Sequence, residues 1–405
     1  MAATKITSHI HTVGILNPNM RVFDIVMKTE SGTSYNSYLV QGEEKTALIE
    51  TCHGEFFDQY LENIRQVCDP KQVDYIILNH NEPDHSGALD RLLEEMPNAQ
   101  VITSAAGAVY LKNITNRPDL AIVKAKDGDR IDLGGRSLEF LSAPFLHWPD
   151  SMFTWCPEEG VLFSCDFLGC HYCEPYTFDT AIAYPKAYDT ALELYYEAIF
   201  GPFGCYVRKG LEKVRGLRGL RTVCTSHGPV LTSGGRLEEV LAKYELWSQP
   251  APASQPLQIP VFYCSAYGNT RRLAQHLAKG IQEGQPTAQV ELLDLIEHPM
   301  EELHRKLNRA SAFAIGTPTL NRDALPPVWN LLAGMDAVNS ANKPAVLFGS
   351  YGWSGEGVPN VKARLDGLRV KVFGSGMKVC FVPTEEDLER AEKLGRAFAQ
   401  SLDEE

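Results

Sequence analysis

The hexapeptide His80-Asn81-Glu82-Pro83-Asp84-His85 places four metal-binding side chains within six residues. It follows Val73 to Leu78, a mostly apolar run that predicts a buried strand. Ligands at the end of a strand sit at the rim of a sheet, where a metal can be reached. Two imidazoles and two carboxylates are more than one tetrahedral site usually draws from a single loop, so the loop predicts two metals side by side. His147, Asp166 and His227 follow in order, each at or near the end of a strand-like run. If Asp166 bridges, one metal takes His80, Glu82, His147 and Asp166, and the other takes Asp84, His85, Asp166 and His227. Either later histidine alone would read as a surface or satisfied core residue. The dense loop followed by three more ligands favours the metal reading.

The elements needed to carry these ligands divide the chain in two. Strand-like runs precede the loop, Asp166 and His227 in the first part. After Trp247 comes SerGlnProAlaProAlaSerGlnPro, an aperiodic stretch that reads as a linker. The boundaries expected are 1–248, a linker at 249–257, and 258–405. In the second part Ile259 to Cys264 predicts a strand. It runs into Ser265, Ala266, Tyr267, Gly268, Asn269 and Thr270, and then into a helical pattern. A strand, a hydroxyl- and glycine-bearing turn and a helix N-terminus make an anion site, because free N–H groups and the helix dipole face the ligand. The turn is neither a Walker loop nor GxGxxG. Two further strand-end loops are predicted: Thr317-Pro318-Thr319-Leu320-Asn321 after Phe313 to Gly316, and Ser350-Tyr351-Gly352-Trp353-Ser354-Gly355 after Ala345 to Gly349. Ligands of open α/β sheets bind outside the carboxyl ends of the strands, where Trp353 or Tyr351 could stack on a flat ring.

The ligand order resembles the metallo-β-lactamase fold, whose usual loop is HisxHisxAspHis. Glu82 in place of the second His resembles one branch of that fold, the flavodiiron proteins. The substitution makes the site harder and more anionic, which suits iron rather than zinc. The Ser265–Thr270 turn resembles the phosphate loop of flavodoxins, and the Trp353 loop resembles the same flavodiiron branch. The resemblance covers nearly the whole chain. It implies a two-domain α/β and α+β protein: a metallo-β-lactamase-like αββα sandwich, then a flavodoxin-like doubly wound parallel sheet. It implies two non-haem Fe ions on the seven ligands, FMN on the three loops, and reduction of O2 to water, of NO to N2O, or of both. Joining two NO needs two electrons and reducing O2 needs four, so a flavin reservoir beside a diferrous pair is useful. It also implies a head-to-tail homodimer, or a dimer of such dimers, with FMN of one protomer facing the metals of the other.

Composition agrees. The 405 residues are 44% hydrophobic and 22% charged, as in globular proteins. No apolar run approaches the roughly 20 residues of a membrane helix, and the N-terminus lacks a signal core, so a cytoplasmic protein is expected. A net charge of −13 argues against nucleic acid. Ten cysteines without a secretion signal read as reduced thiols. Cys170 and Cys173 have redox spacing but not the context of a redox helix, and His171 between them is expected to support the ligands. There is no pair of CysxxCys motifs of the rubredoxin kind, so electrons are expected from a separate rubredoxin-like protein or from the deazaflavin F420H2.

Three features leave alternatives. The basic run Arg208, Lys209, Lys213, Arg215, Arg218 and Arg221 reads first as a solvated helix face and second as a docking patch for an acidic electron carrier. Relatives in the resembling family often carry a His before the ThrTyrAsn-like motif. Here Phe23 to Lys28 has none, which predicts a more apolar pocket and bears on the O2-to-NO preference without fixing its direction. Tyr195 and Tyr196 could offer a hydroxyl, but a helix-core role is favoured. The competing functions are a dinuclear zinc hydrolase with an appended flavodoxin and a non-catalytic flavin carrier or gas sensor. Glu82 and the flavin loops argue against both.

Overall fold

The computed structural model describes residues 3–23, 27–250 and 255–403. It divides into two compact units, Met1–Pro250 and Ala251–Glu405. Residues 251–254 of the expected linker, and Asp24, Ile25 and Val26 of the expected pocket wall, lie outside the described residues.

The first unit has four layers. A seven-stranded sheet packs against a six-stranded sheet, and helices cover the outer faces. Strand Tyr75–Leu78 lies in the first sheet between the parallel strands Thr46–Ile49 and Gln100–Ser104, with Ile77 opposite Ile49 and Ile102. The period of two in a strand explains its unbroken apolar run. Ile76 and Leu78 meet the helices Phe57–Arg65 and Leu89–Glu95, while Ile77 faces the other sheet among Phe140, Met152 and Phe163. Both faces are buried, so both need apolar side chains. In the second sheet Val161–Cys165 pairs in parallel with Thr222–Thr225 and antiparallel with Met152–Cys156. Helices Pro185–Tyr195, Gly204–Gly216 and Leu237–Trp247 cover that sheet through Tyr188, Leu192, Val207, Leu211 and Tyr244.

The second unit is a parallel sheet. Its strands run in the order Gln289–Asp294, Gln258–Tyr263, Phe313–Thr319, Pro344–Tyr351 and Lys371–Val372, with Met377–Cys380 also pairing Pro344–Tyr351. This 2-1-3-4-5 order puts the topological switch point between the first and third strands in sequence, where such sheets bind ligand. Helices Met300–Arg309, Pro326–Ala333 and Gly357–Gly367 pack on one face. Asn269–Gly284 and Glu385–Ser401 pack on the other. These last two helices meet backbone to backbone: a Cβ on Gly280 would collide with the Glu392 carbonyl, and one on Gly395 with the Leu277 carbonyl. Two strands run further than the sequence predicted. The parallel ladder continues to Thr319 opposite Tyr351. Thr317, Pro318, Thr319, Ser350 and Tyr351 are therefore strand ends rather than loop. Among the described residues no helix is long and apolar enough to cross a membrane.

Candidate metal centre and flavin site

The strand Tyr75–Leu78 delivers His80, and Glu82 then caps a single turn of helix, Pro83–Ser86, with Pro83 at its first position. Proline there costs no hydrogen bond, because the first helical N–H has no partner in any case. The turn brings Asp84 and His85 round beside Glu82 instead of letting an extended chain carry them away. His147 comes from the loop between Ser137–Ser142 and Met152–Cys156, and Asp166 follows Val161–Cys165. His227 follows Thr222–Thr225. All seven predicted ligands are brought together.

They fall into two groups that meet at Asp166. Asp166 Oδ2 lies 3.8 Å from His80 Nε2 and 3.5 Å from His147 Nε2. Glu82 Oε2 lies 3.2 and 3.1 Å from the same two nitrogens. Asp166 Oδ1 lies 3.2 Å from His85 Nε2 and 3.4 Å from His227 Nε2. Asp84 completes that group, with Oδ1 3.4 Å from His85 and Oδ2 3.1 Å from His227. One carboxylate thus presents a different oxygen to each group.

The electrostatics are those of a site built around cations. Burial by itself would depress the pKa of His80, but hydrogen bonds to Asp150 and Glu82 raise it well above the usual imidazole range. Burial is likewise overcome at His85, which the charges of Asp84 and Asp166 push up to about 10. The carboxylates move the other way. Against burial, hydrogen bonds from His147 and His80 hold Glu82 down at about 2, and the charge of His85 lowers Asp84 and Asp166. Both oxygens of Asp84, Asp166 Oδ2 and His85 Nε2 are buried without a hydrogen-bond partner. Orphaned buried atoms of this kind are costly unless something binds them. Two imidazoles and two carboxylates per group suit iron, so the residues present fit a pair of such ions.

Asp150, Ser34 and Glu50 were not expected from the sequence, and Tyr195 fills both of the roles left open for it. Asp150 accepts from His80 Nδ1, and Ser34 offers its carbonyl to His227 Nδ1 at 2.7 Å. Tyr195, expected to be core, is core and also donates its hydroxyl to Asp166 Oδ1 at 2.9 Å. Its helix points the ring inward, and the hydroxyl then needs an acceptor. Glu50, fully buried near His85 and Cys165, accepts the Asn79 N–H, and burial raises its pKa to about 7. A carboxylate three residues beyond His147 was the only sequence signal for Asp150. Nothing in the sequence marked Ser34, whose contribution is backbone.

His171 lies where its position suggested, beside the ligands. Its ring centroid is 4.7 Å from that of His227, and its Nδ1 is 2.8 Å from Thr33 Oγ1. Burial and the neighbouring His227 hold its pKa well below the usual range, so it is a neutral imidazole. Cys170 and Cys173 are unpaired, and burial pushes both thiols up, against a redox role. A cavity of about 220 Å³ is lined by His171, Tyr195, Lys28, Thr29, Lys186 and Leu194, among others. The wall expected to be apolar therefore carries an ammonium group of its own at Lys28, and other positions add the His171 imidazole and the Lys186 ammonium. In the basic run, Arg208 donates to the Ser248 carbonyl, Lys213 pairs with Asp127 and Arg215 with Glu245. These contacts favour the solvated-face reading.

The three loops expected to hold flavin occupy the carboxyl ends of three adjacent parallel strands. Gly268 has φ 83° and precedes helix Asn269–Gly284, a conformation that suits glycine and leaves the first helical N–H groups facing outward. Asn269 and Thr270 open the helix, and the Ser265 hydroxyl accepts the Arg271 N–H at 3.2 Å. Ala266 and Tyr267 lie in the same turn. Thr270 Oγ1 lies 2.9 Å from Ser350 Oγ, and Thr319 Oγ1 accepts the Gly357 N–H at 3.1 Å, so the three loops are tied together. Beyond Thr317 and Pro318, Leu320 and Asn321 begin a tight turn in which Asn321 has φ 50°. Tyr267 is 87% and Trp353 90% exposed, flanked by Gly352, Ser354 and Gly355. Two large aromatics standing free at a ligand-binding sheet edge are suited to a flat ring rather than to core packing.

Comparison with known proteins agrees with both halves. Residues 33–228 match the ODP family beta lactamase model and residues 261–395 the flavodoxin model. The chain is 52% identical over 403 residues to Flavo-diiron protein FprA2 of Clostridium acetobutylicum, covering 99% of this chain and 100% of that one. It is 32% identical to the Nitric oxide reductase of Moorella thermoacetica, covering 98% of each. Among solved structures it superposes on rubredoxin oxygen:oxidoreductase from Desulfovibrio gigas with TM-score 0.74 and 30% identity, covering 99% of each chain. A lactamase-like unit with a two-group donor set, followed by a flavodoxin, defines an oxidoreductase that works at a diiron site with flavin. The chain belongs to the flavo-diiron protein family.

Proposed function

We propose that this chain reduces O2 to water, NO to N2O, or both, with His80, Glu82 and His147 holding one iron, Asp84, His85 and His227 the other, and Asp166 joining them. The division of the two Asp166 oxygens between the two groups is the observation that carries this reading. When bound, two ferrous ions supply two electrons and adjacent positions for a diatomic gas, and FMN supplies the rest.

The chain's own residues prepare the site. Tyr195 donates its hydroxyl to Asp166 Oδ1, holding that carboxylate in place, and lines the cavity. His171, neutral and backed by Thr33, adds a second polar group beside His227. Phe23 lies against His171 with ring centroids 4.5 Å apart, an apolar neighbour on that side. In the second unit, the Ser265–Thr270 turn holds the FMN phosphate and Trp353 or Tyr351 covers the ring, with Thr317–Asn321 and Ser350–Gly355 completing the cradle. The domain limits 1–248 and 258–405, the head-to-tail dimer, and a rubredoxin-like protein or F420H2 as donor belong to the same proposal. The names of the Moorella and Desulfovibrio relatives support the choice of gases and of rubredoxin.

The test is metal and flavin content per chain, followed by anaerobic NO consumption and O2 consumption with reduced rubredoxin. Two irons, one FMN and gas turnover are expected. Two zincs with no gas consumption would overturn the reading.

A further inference from the structure

The two groups of ligands are alike in kind: each has two imidazoles, one terminal carboxylate and one oxygen of Asp166. Direct ligation gives no reason for the two irons to differ. The difference lies one layer out. His80 Nδ1 stands 3.2 Å from each oxygen of Asp150, and since a carboxylate only accepts, the nitrogen carries the proton. His227 Nδ1 stands 2.7 Å from the carbonyl of Ser34. One imidazole is thus backed by a charge and the other by a neutral dipole. Glu50, the other buried acid nearby, accepts the Asn79 N–H and makes no hydrogen bond to His85 among the described residues.

Asp150 is built into place. Its side chain is 0% exposed. Asp150 Oδ2 accepts the Asn81 N–H at 2.8 Å and Asn81 Nδ2 at 2.7 Å, and Asn81 Nδ2 also reaches Thr103 Oγ1 at 3.1 Å. A buried carboxylate held by three donors from two adjacent residues, and aimed at a ligand's distal nitrogen, has a fixed direction. It selects the tautomer that leaves His80 Nε2 free toward Glu82 and Asp166. A charged acceptor also makes an imidazole a stronger donor to its metal than a carbonyl does.

We propose that Asp150 is the positioning residue that makes the two irons unequal, so that the ion at His80 is bound more tightly and oxidised more readily than the ion at His227. The inference rests on the diiron reading above. Outer-layer partners of this kind change metal affinity by roughly 10–100-fold.

The experiment is D150N, loaded with 57Fe, with each iron followed by chelator competition and by Mössbauer spectroscopy. One iron is expected to bind about 10–100-fold more weakly while the other keeps its affinity. Only one quadrupole doublet should change, and the flavin content should not. Equal weakening of both irons, or no change in either, would overturn the proposal. The wild-type protein gives a second reading that does not depend on the variant folding. Reduced, it should show two unequal doublets of equal area, and a single doublet would overturn it. A wild-type protein without paired iron would instead sink the diiron reading itself.

Discussion

The metal centre and the flavin loops are prepared in opposite ways. Six of the seven candidate metal ligands are buried, and His147 is nearly so. Four imidazoles face three carboxylates at 3.1 to 3.8 Å, and several of their donor atoms have no hydrogen-bond partner. The loops proposed to hold flavin instead leave Tyr267 and Trp353 almost fully exposed at the strand ends. A site for a small, multiply charged ion must be dry and preorganised, because misplaced buried charge is expensive. A site for a large flat cofactor can stay open, because the cofactor itself supplies the surface that closes it.

This contrast can be broken from either side. Replacing Glu82 or Asp166 by Ala has the largest expected effect. Iron content should fall, and gas turnover should drop by more than the roughly 100-fold limit of an outer-layer change, while FMN stays bound. Elemental analysis with flavin release checks it, and full turnover in both variants would show that the buried cluster is not the reaction centre.

Tyr195→Phe removes one hydrogen bond to a charged group, worth about 1.5–3 kcal/mol. Turnover should fall roughly 10–100-fold with both irons retained. A drop in iron content instead would make Tyr195 a support for Asp166 alone.

Proton linkage sharpens the same half. In the metal-free protein His85 is held up at about 10 and Glu82 down at about 2. A raised imidazole stabilises the fold fully below its unfolded value near 6.5, and that stability is lost as pH rises through its folded value. A lowered carboxylate stabilises above its unfolded value near 4.3, and that stability is lost as pH falls through its folded value. The metal-free unit should therefore melt highest between about pH 4.5 and 6.5. Iron must displace the imidazole protons, so its affinity should rise about tenfold per pH unit for each proton released. Calorimetry in two buffers of different ionisation enthalpy counts those protons.

On the flavin side, Trp353→Ala should weaken FMN by about 1 kcal/mol, a several-fold rise in Kd, and leave iron content unchanged. Fluorescence titration of the flavin-free protein reads it. The smallest effect is expected at the basic helix. Arg218→Ala should slow reduction by an acidic carrier no more than a few-fold at low salt, and not at all at high salt.

The sequence disclosed the metal centre better than its support. Ligands announce themselves because His and carboxylate side chains at strand ends have few other uses. Asp150 and Glu50 act through other residues, and only folding brings them into reach; for Tyr195 the sequence left hydroxyl and core roles open, and folding gives it both. Ser34 acts through a carbonyl that every residue possesses. The strand ends at Thr317–Thr319 and Ser350–Tyr351 were misjudged for a related reason. Ladder length depends on the neighbouring strand, and Pro318 looks like a terminator until its partner Ser350 is known. Both faces of the αββα core could be read from unbroken apolar runs, but not the order of the strands.

The helices that touch at Gly280 and Gly395 have a mechanical consequence. With no side chain between them at Gly280 and Gly395, and with Leu277, Ile281, Ala391 and Phe398 packed beside those points, Asn269–Gly284 and Glu385–Ser401 cannot slide or part without losing contact along their length. The turn that begins the first helix is therefore braced from far along the chain. An alanine at Gly395, remote in sequence from every flavin loop, would act as a wedge, and its tilt would be felt at Gly268.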